Sequence, residues 1–136
     1  MLMLQKAEVS TEFIACIGIL LLFFVFFVGI IGIKNQDINE SIVFKNAQNI
    51  LNIVTSEINT ASRIEGYHRE FSIPDKLLNG ETYNVTYNKN LRMVKIEWSN
   101  GKNLISNIIT GNITGNITVG NNRIENVGGE VKINES

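Results

Sequence analysis

Residues 13–33, with the sequence FIACIGILLLFFVFFVGIIGI, decide how this chain is organised. These 21 residues carry no charge. At about 1.5 Å per residue, a helix of that length spans roughly 31 Å, which matches a hydrocarbon core of about 30 Å. An ordinary secretory signal has a shorter apolar region of about 7 to 15 residues, followed by small residues, whereas Lys34 follows this run. The run therefore predicts a helix that stays on the protein, within a membrane or within an assembly of helices.

The remainder of the 136-residue chain has room for one small domain. Twelve lysines and arginines and thirteen acidic residues are scattered along the sequence, with a formal charge of -1. The basic residues therefore form no patch of the kind that would indicate a nucleic-acid partner. The single cysteine, Cys16, lies inside the apolar run, where it cannot form an intramolecular disulfide and is predicted to act as a small apolar side chain.

A carboxylate stands directly before the apolar run. Glu12 precedes Phe13, and Lys6, Ala7 and Glu8 lie a few residues earlier. A carboxylate is disfavoured by about 2.5 to 3.5 kcal/mol at the bilayer centre and by less at the interface, and it persists more easily when a partner offsets its charge. The position of Glu12 therefore indicates a cationic partner.

This N-terminal stretch resembles that of archaeal type IV pilins and pilin-like proteins with class III signal peptides. The family motif is a basic residue, then Gly or Ala, then the cleavage point, then Gln-x-Ser-x-Glu-Phe leading into the apolar helix. The matching positions are Lys6, Ala7, Ser10, Glu12 and Phe13. Glu8 stands where the family usually has Gln. The resemblance covers residues 5 to about 33, and the remainder agrees only in architecture.

The resemblance implies that a prepilin peptidase cuts between Ala7 and Glu8, so that Lys6, Ala7 and Glu8 form the processing site. Cleavage leaves a new α-amine on Glu8. The resemblance further implies that Glu12 meets the amine of a neighbouring subunit, which makes Glu8, Glu12 and Phe13 the assembly residues. The alternative for Glu12 is that its carboxylate lies among lipid headgroups and faces water.

Beyond the apolar run, the pattern predicts an amphipathic helix. Apolar residues recur at spacings of three and four, and polar residues fall between them; the apolar positions are Val43, Ala47, Ile50, Val54, Ile58 and Ala61. No proline occurs before Pro74, so one helix is predicted from about Glu8 to Arg63. Gly29 and Gly32 near the junction mark either a bend or a locally melted turn, or else close helix packing.

The last 70 or so residues have the periodicity of strands. Residues 81–87 and 94–98 alternate apolar and polar side chains on either side of an Asn88-Lys89-Asn90 turn, which predicts a hairpin. A second hairpin is predicted at Gly128-Gly129, with Ile124 opposite Ile133 and Glu125 opposite Lys132. In the repeated segment 111–118, a strand would place Ile113, Ile117 and Val119 on one face.

Five Asn-x-Ser/Thr patterns match the acceptor site for N-glycosylation of exported proteins. Asn84, Asn112 and Asn116 begin Asn-x-Thr, and Asn39 and Asn134 begin Asn-x-Ser. The alternation of the strands places the first three on polar faces. Asn84, Asn112 and Asn116 are therefore predicted as accessible candidates for glycosylation.

Together these patterns predict an α+β fold in which a long N-terminal helix packs on a small antiparallel β-sheet domain, and the resemblance implies that this fold is type IV pilin-like. With the leader peptide at 1–7 that the resemblance implies, the predicted organisation continues with an apolar transmembrane or filament-core helix at 8–33, an amphipathic continuation at 34–63 and a β-rich outer domain at 64–136.

The sequence offers no combination of residues that predicts an enzyme, a metal site or a cofactor. His68 is the single histidine, and it is predicted to be a surface strand residue, although Glu70 is near enough in sequence to orient it. Trp98, Tyr83 and Tyr87 form either a carbohydrate-binding patch or, as we expect, part of the core and sheet cover.

The sequence hypothesis is a structural subunit, major or minor, of an archaeal type IV pilus-like filament that serves in adhesion. Its implied partners are copies of itself or other pilins in a helical filament, the prepilin peptidase and the membrane. Its expected location is the cell membrane as a precursor and then an extracellular surface filament. The alternative is a single-pass membrane protein that never polymerises and displays its small extracellular domain as a binding module.

Overall fold

The computed structural model describes residues 2–99 and 101–135, and for the helical residues 2–10, 35 and 36 it describes the backbone alone. One long helix precedes seven strands. The elements are α1 (Leu2–Arg63), β1 (His68–Ile73), β2 (Tyr83–Asn88), β3 (Met93–Trp98), β4 (Lys102–Asn107), β5 (Ile113–Gly115), β6 (Gly120–Val127) and β7 (Glu130–Ile133). The chain divides into two compact units, of which the first ends at Glu40 and the second, here called the C-terminal unit, begins at Ser41.

The helical part of the C-terminal unit buries one stripe of side chains. The predicted apolar positions are all buried, and Leu51 joins them; the set is Val43, Ala47, Ile50, Leu51, Val54, Ile58 and Ala61. Because these positions recur every three or four residues, they lie on one side of a helix. Each buried Val, Leu or Ile contributes about 1.5 to 3 kcal/mol through removal of apolar surface from water. The expected end of the helix at Arg63 is confirmed.

The strands form two sheets where a single small antiparallel sheet was predicted. One sheet has the strand order β1-β6-β7-β5, and the other has the order β2-β3-β4. The pairing is antiparallel except between β5 and β7, which run parallel. The α+β class and the packing of a helix against antiparallel sheets are confirmed, but the predicted small antiparallel sheet is divided into two, and one strand pair, β5 with β7, is parallel. The parallel pair arises because the short strand at 113–115 lies beside β7, the last strand in the chain, instead of pairing with the strand that precedes or follows it in sequence.

Both predicted hairpins are confirmed, including the register of the second. In the first, β2 pairs with β3 so that Tyr83 lies opposite Trp98. In the second, Ile124 lies opposite Ile133 and Glu125 opposite Lys132. The pairs place two buried isoleucines on the core side and opposite charges on the other side, as the alternation of strand side chains requires.

The prediction for segment 113–119 was wrong in part. Ile113 and Ile117 are both buried, but Val119 is 45% exposed. The strand ends at Gly115, where φ is +87°, a backbone conformation that breaks the two-residue alternation of an extended chain. The repeat of four residues in the sequence therefore does not produce a continuous strand.

One apolar core joins the helix to both sheets. Besides the helical stripe, it includes Ile73, Val94, Ile96, Ile124, Val131 and Ile133, each almost completely buried. Tyr83 and Trp98 are buried in the same core, and Tyr87 packs against it partly exposed. The expectation that these aromatic side chains belong to the core and the sheet cover is confirmed.

Alkaline pH is expected to destabilise the C-terminal unit through Tyr83. Burial, together with the nearby Asp75 carboxylate, raises the pKa of the Tyr83 hydroxyl to about 12, and the hydroxyl donates a hydrogen bond to the Pro74 carbonyl. Because the folded pKa exceeds the unfolded value of about 10, the stabilising contribution is complete below pH 10 and is lost as the pH rises through 12. Melting temperatures measured across this range should fall more steeply for the wild type than for Tyr83→Phe. Equal slopes would contradict this prediction.

Candidate assembly segment and surface sites

The apolar segment 13–33 is exposed on every side of the helix. Sixteen large apolar side chains lie on its surface, and Phe13 at its start is 67% exposed. A soluble helix usually has one apolar stripe, whereas a helix that is apolar all round is buried in a large core or in a membrane. By length and composition, this helix is able to cross a membrane, and it is compatible with membrane insertion. An exposed apolar surface of this extent is typical of a segment that contacts lipid or other protein.

The helical backbone suits either environment, because a helix satisfies its N–H and C=O groups internally. The backbone is helical at Gly29 and Gly32, so the locally melted turn considered at these glycines is not formed. Nothing lies within 4 Å of a Cβ built at either position. Both glycines therefore leave room for a neighbouring helix to approach closely.

Glu12 is an exposed carboxylate directly before the apolar segment. It lies on α1 next to Phe13, which is also exposed. Glu12 and Phe13 therefore remain available to a second molecule in the isolated chain. The side chains of the predicted processing residues Lys6, Ala7 and Glu8 lie outside the described residues.

A group of polar side chains ties the helix to β1, and the sequence reasoning missed it. Glu57 is 9% exposed; one of its carboxylate oxygens accepts a hydrogen bond of 2.8 Å from the Tyr67 hydroxyl, and the other lies 3.1 Å from an Arg69 nitrogen. Burial and the Glu57 carboxylate raise the pKa of Tyr67. The nearby Tyr67 hydroxyl and the charge of Glu57 raise the pKa of Arg69. The signal in the sequence was a glutamate inside the apolar stripe.

Asparagine side chains make further connections between the helix and the residues that follow it. Asn126 donates a 2.7 Å hydrogen bond to the Ala61 carbonyl in the last turn of the helix, where carbonyl groups lack helical partners. Asn59 accepts a 2.9 Å hydrogen bond from the Ile109 N–H. Because Asn126 is almost fully buried, its loss would remove the shorter of the two hydrogen bonds to the Ala61 carbonyl and leave only the 3.3 Å bond from the Ile64 N–H.

The glycosylation candidates occupy three different backbone settings. Asn84 is exposed on β2, Asn112 is exposed before β5, and Asn116 is exposed just after β5. Asn39 is exposed on α1. The Asn134 side chain contacts Asn122, which is nearly completely buried. The fold therefore separates patterns that look equivalent in the sequence.

His68 begins β1 and is exposed, as predicted. Its Nδ1 lies 3.6 Å from Oε2 of Glu125. The same oxygen lies 3.3 Å from a guanidinium nitrogen of Arg123. The partner of His68 is thus Glu125 rather than the Glu70 suggested by sequence proximity. Among the residues whose side chains the structure describes, no three His, Cys, Asp or Glu residues gather as a metal-binding group.

Comparison with known proteins gives no match. No family model matches the chain, and neither a curated protein nor a solved structure matches it.

Proposed function

We propose that this protein is a structural subunit of an archaeal type IV pilus-like surface filament, assembled through its apolar helix and serving in adhesion. The observation that carries the proposal is the apolar helix 13–33, exposed on all sides, with the carboxylate of Glu12 at its start. The pilin-like residues Lys6, Ala7 and Ser10, which precede Glu12, also support it. A membrane would hold the subunit first, and a bundle of identical helices would later replace the lipid.

Charge pairing provides a reason for the position of Glu12 in this proposal. Cleavage after Ala7 creates an α-amine on Glu8, and in the filament that amine meets Glu12 of a neighbouring subunit. Two opposite charges about 4 Å apart attract by roughly 4 kcal/mol at an effective dielectric constant of about 20. The pairing therefore offsets the cost of placing a carboxylate in apolar surroundings and fixes the helices in register along their axes.

The C-terminal unit in this proposal is the outward part of the filament. Its core joins the helix after Ser41 to both sheets, and Glu57 and Asn126 tie the helix to the strands by buried polar contacts. Such connections suit a subunit whose helix and outer unit must resist separation under mechanical load. The same unit provides the exposed surface through which a filament would adhere.

The second candidate is a single-pass membrane protein that displays the C-terminal unit and does not polymerise. The length of the apolar helix, which is enough to cross a bilayer alone, favours this candidate equally. The pilin-like motif and Glu12 favour the filament, because a simple anchor requires neither a peptidase site nor a carboxylate at its start.

The mature N-terminus tests the processing step. We expect mass spectrometry of the protein purified from its own cells to show a chain that begins at Glu8 with an unblocked amine. As a matched variant, Ala7→Trp places a bulky side chain beside the cut and should leave the seven leading residues attached. A wild-type protein that still begins at Met1 would overturn the proposal in its present form.

A further inference from the structure

We propose that Asn84 is the preferred N-glycan acceptor of the C-terminal unit and that the Asn134 pattern is a structural element that remains unmodified. The inference rests on the proposed function only in requiring export of this unit. It does not require polymerisation. The chemistry is the transfer of a sugar from a lipid phosphate to the side-chain amide of asparagine by a membrane transferase.

In that reaction, Nδ2 of asparagine attacks the anomeric carbon of the lipid-linked sugar. A carbon–nitrogen bond forms, the bond between the anomeric carbon and the phosphate oxygen breaks, and the lipid phosphate leaves with the electron pair. Nδ2 gives up one proton to a basic group of the transferase and keeps the other. An acceptor asparagine must therefore have an N–H that is not required elsewhere.

Asn84 meets this requirement. Successive side chains of a strand point to opposite faces, so Asn84 and Thr86 lie on the same face, opposite to buried Tyr83 and Val85. Within the part of the chain whose side chains are described, neither Asn84 nor Thr86 makes a side-chain hydrogen bond or ion pair. β2 is also an edge of its sheet, and an open groove of about 460 Å³ beside Asn84 gives space for an attached sugar.

Asn134 fails the same requirement. Its Nδ2 donates hydrogen bonds of 2.9 Å to the Asn116 carbonyl and 2.9 Å to Oδ1 of Asn122. Its Oδ1 accepts a 2.8 Å hydrogen bond from the Arg123 N–H. Since both protons of Nδ2 are used and Asn122 is 2% exposed, a sugar on Asn134 would leave a buried amide oxygen with one partner fewer.

In the other three patterns, which begin at Asn112, Asn116 and Asn39, the acceptor or its Ser/Thr partner is less well placed than at Asn84. Asn112 donates one N–H to the Gly129 carbonyl over 3.1 Å, and the Thr114 hydroxyl donates to a Glu135 carboxylate oxygen over 2.8 Å. Asn116 is exposed, but the hydroxyl of Thr118 in its pattern donates a 3.4 Å hydrogen bond to Oδ1 of Asn122, whereas the Thr86 hydroxyl beside Asn84 makes no such contact among the described side chains.

Asn39 lies on a helix, where residues two apart do not face one another. Its Ser41 partner therefore faces a different side of α1, unlike Thr86 beside Asn84.

Glycopeptide mass spectrometry tests the proposal on the full-length protein from cells that glycosylate another surface protein. We expect the sugar on Asn84 to be more abundant than on Asn112 or Asn116 and at least tenfold more abundant than on Asn134. Thr86→Val, which keeps the side-chain shape on an exposed strand position, and Asn84→Gln should each remove the Asn84 glycan. Asn134→Gln should leave the glycan unchanged while lowering the melting temperature.

A sugar on Asn134 of the folded protein, an unmodified Asn84, or more sugar on Asn112 or Asn116 than on Asn84 would overturn the inference. The N-terminal peptide in the same digest separates this outcome from failure of the proposed function. A chain that begins at Glu8 but lacks the sugar contradicts the glycosylation proposal alone. A glycosylated chain that still begins at Met1 contradicts the filament proposal alone.

Discussion

Replacing Gly115 with alanine is expected to lower the free energy of unfolding of the C-terminal unit by about 2 to 5 kcal/mol. Gly115 ends β5 with φ at +87°, and a Cβ built there lies 1.8 Å from the carbonyl oxygen of Ile133. The left-handed backbone alone costs an alanine roughly 1 to 2 kcal/mol. The steric conflict adds to this cost, because Ile133 is the β7 residue that pairs with Gly115 and the two strands must separate.

Gly80→Ala provides the matched control. Gly80 has a similar φ of +83°, but nothing lies within 4 Å of its constructed Cβ. This variant should therefore show only the backbone cost of about 1 to 2 kcal/mol. The difference between the losses in free energy of unfolding of the two variants measures the steric cost of the close approach of β5 to β7.

Thermal melting followed by the fluorescence of Trp98 is the appropriate measurement. Trp98 is 6% exposed in the core of the C-terminal unit, so its emission reports on that unit rather than on the apolar helix. For a domain of this size, a loss of 3 kcal/mol lowers the melting temperature by at least about 12 °C. Equal shifts for the two variants would refute the contact between Gly115 and Ile133.

The parts of the fold that follow from local periodicity were predictable. The stripe from Val43 to Ala61 and the alternation in β2 and β3 reflect which side chains must leave water, and this pattern is visible in the sequence. The Gly128-Gly129 turn also predicted its register, because shifting a strand by one residue would turn Ile124 and Ile133 away from the core.

The division into two sheets was not predictable in the same way. Pairing of β5 with β7 depends on how residues far apart in the sequence meet, and a three-residue strand carries almost no periodic signal. Gly115 was visible as a glycine, but its close approach to Ile133 is a property of the tertiary structure. The repeat Gly-Asn-Ile-Thr therefore suggested a regularity that the backbone does not have.

The candidate sites likewise divide into those formed by neighbouring residues, which the sequence could predict, and those formed by tertiary contacts, which it could not. Glu12 and Phe13 were identified from adjacent residues of one motif, and their exposure agrees with a role in contacts between molecules. The Glu57–Arg69 ion pair joins two elements across a turn, so the sequence offered only an isolated charge in an apolar stripe. Likewise, Asn84 and Asn134 begin similar patterns, and only the hydrogen bonds of Asn134 distinguish them.

Glu12→Gln is expected to reduce filament assembly by about ten- to a hundredfold while leaving membrane insertion intact. The glutamine keeps the size of the side chain and some of its hydrogen bonding but removes the charge that the amine of Glu8 would pair with. A hydrogen bond to a charged group contributes about 1.5 to 3 kcal/mol, and each 1.4 kcal/mol changes an association constant tenfold. The subunit should therefore accumulate in the membrane as a clipped monomer.

Asp37→Asn is the matched control, because it removes one exposed carboxylate from the same helix on the far side of the apolar segment. Filaments sheared from cells and counted by electron microscopy, together with the amount of subunit in the membrane fraction, give the two readouts. Assembly through the charge pair requires the Glu12 variant to lose filaments and the Asp37 variant to retain them. Equal loss in both variants would assign the effect to net charge, and unchanged filaments in both would show that the helices associate through apolar packing alone.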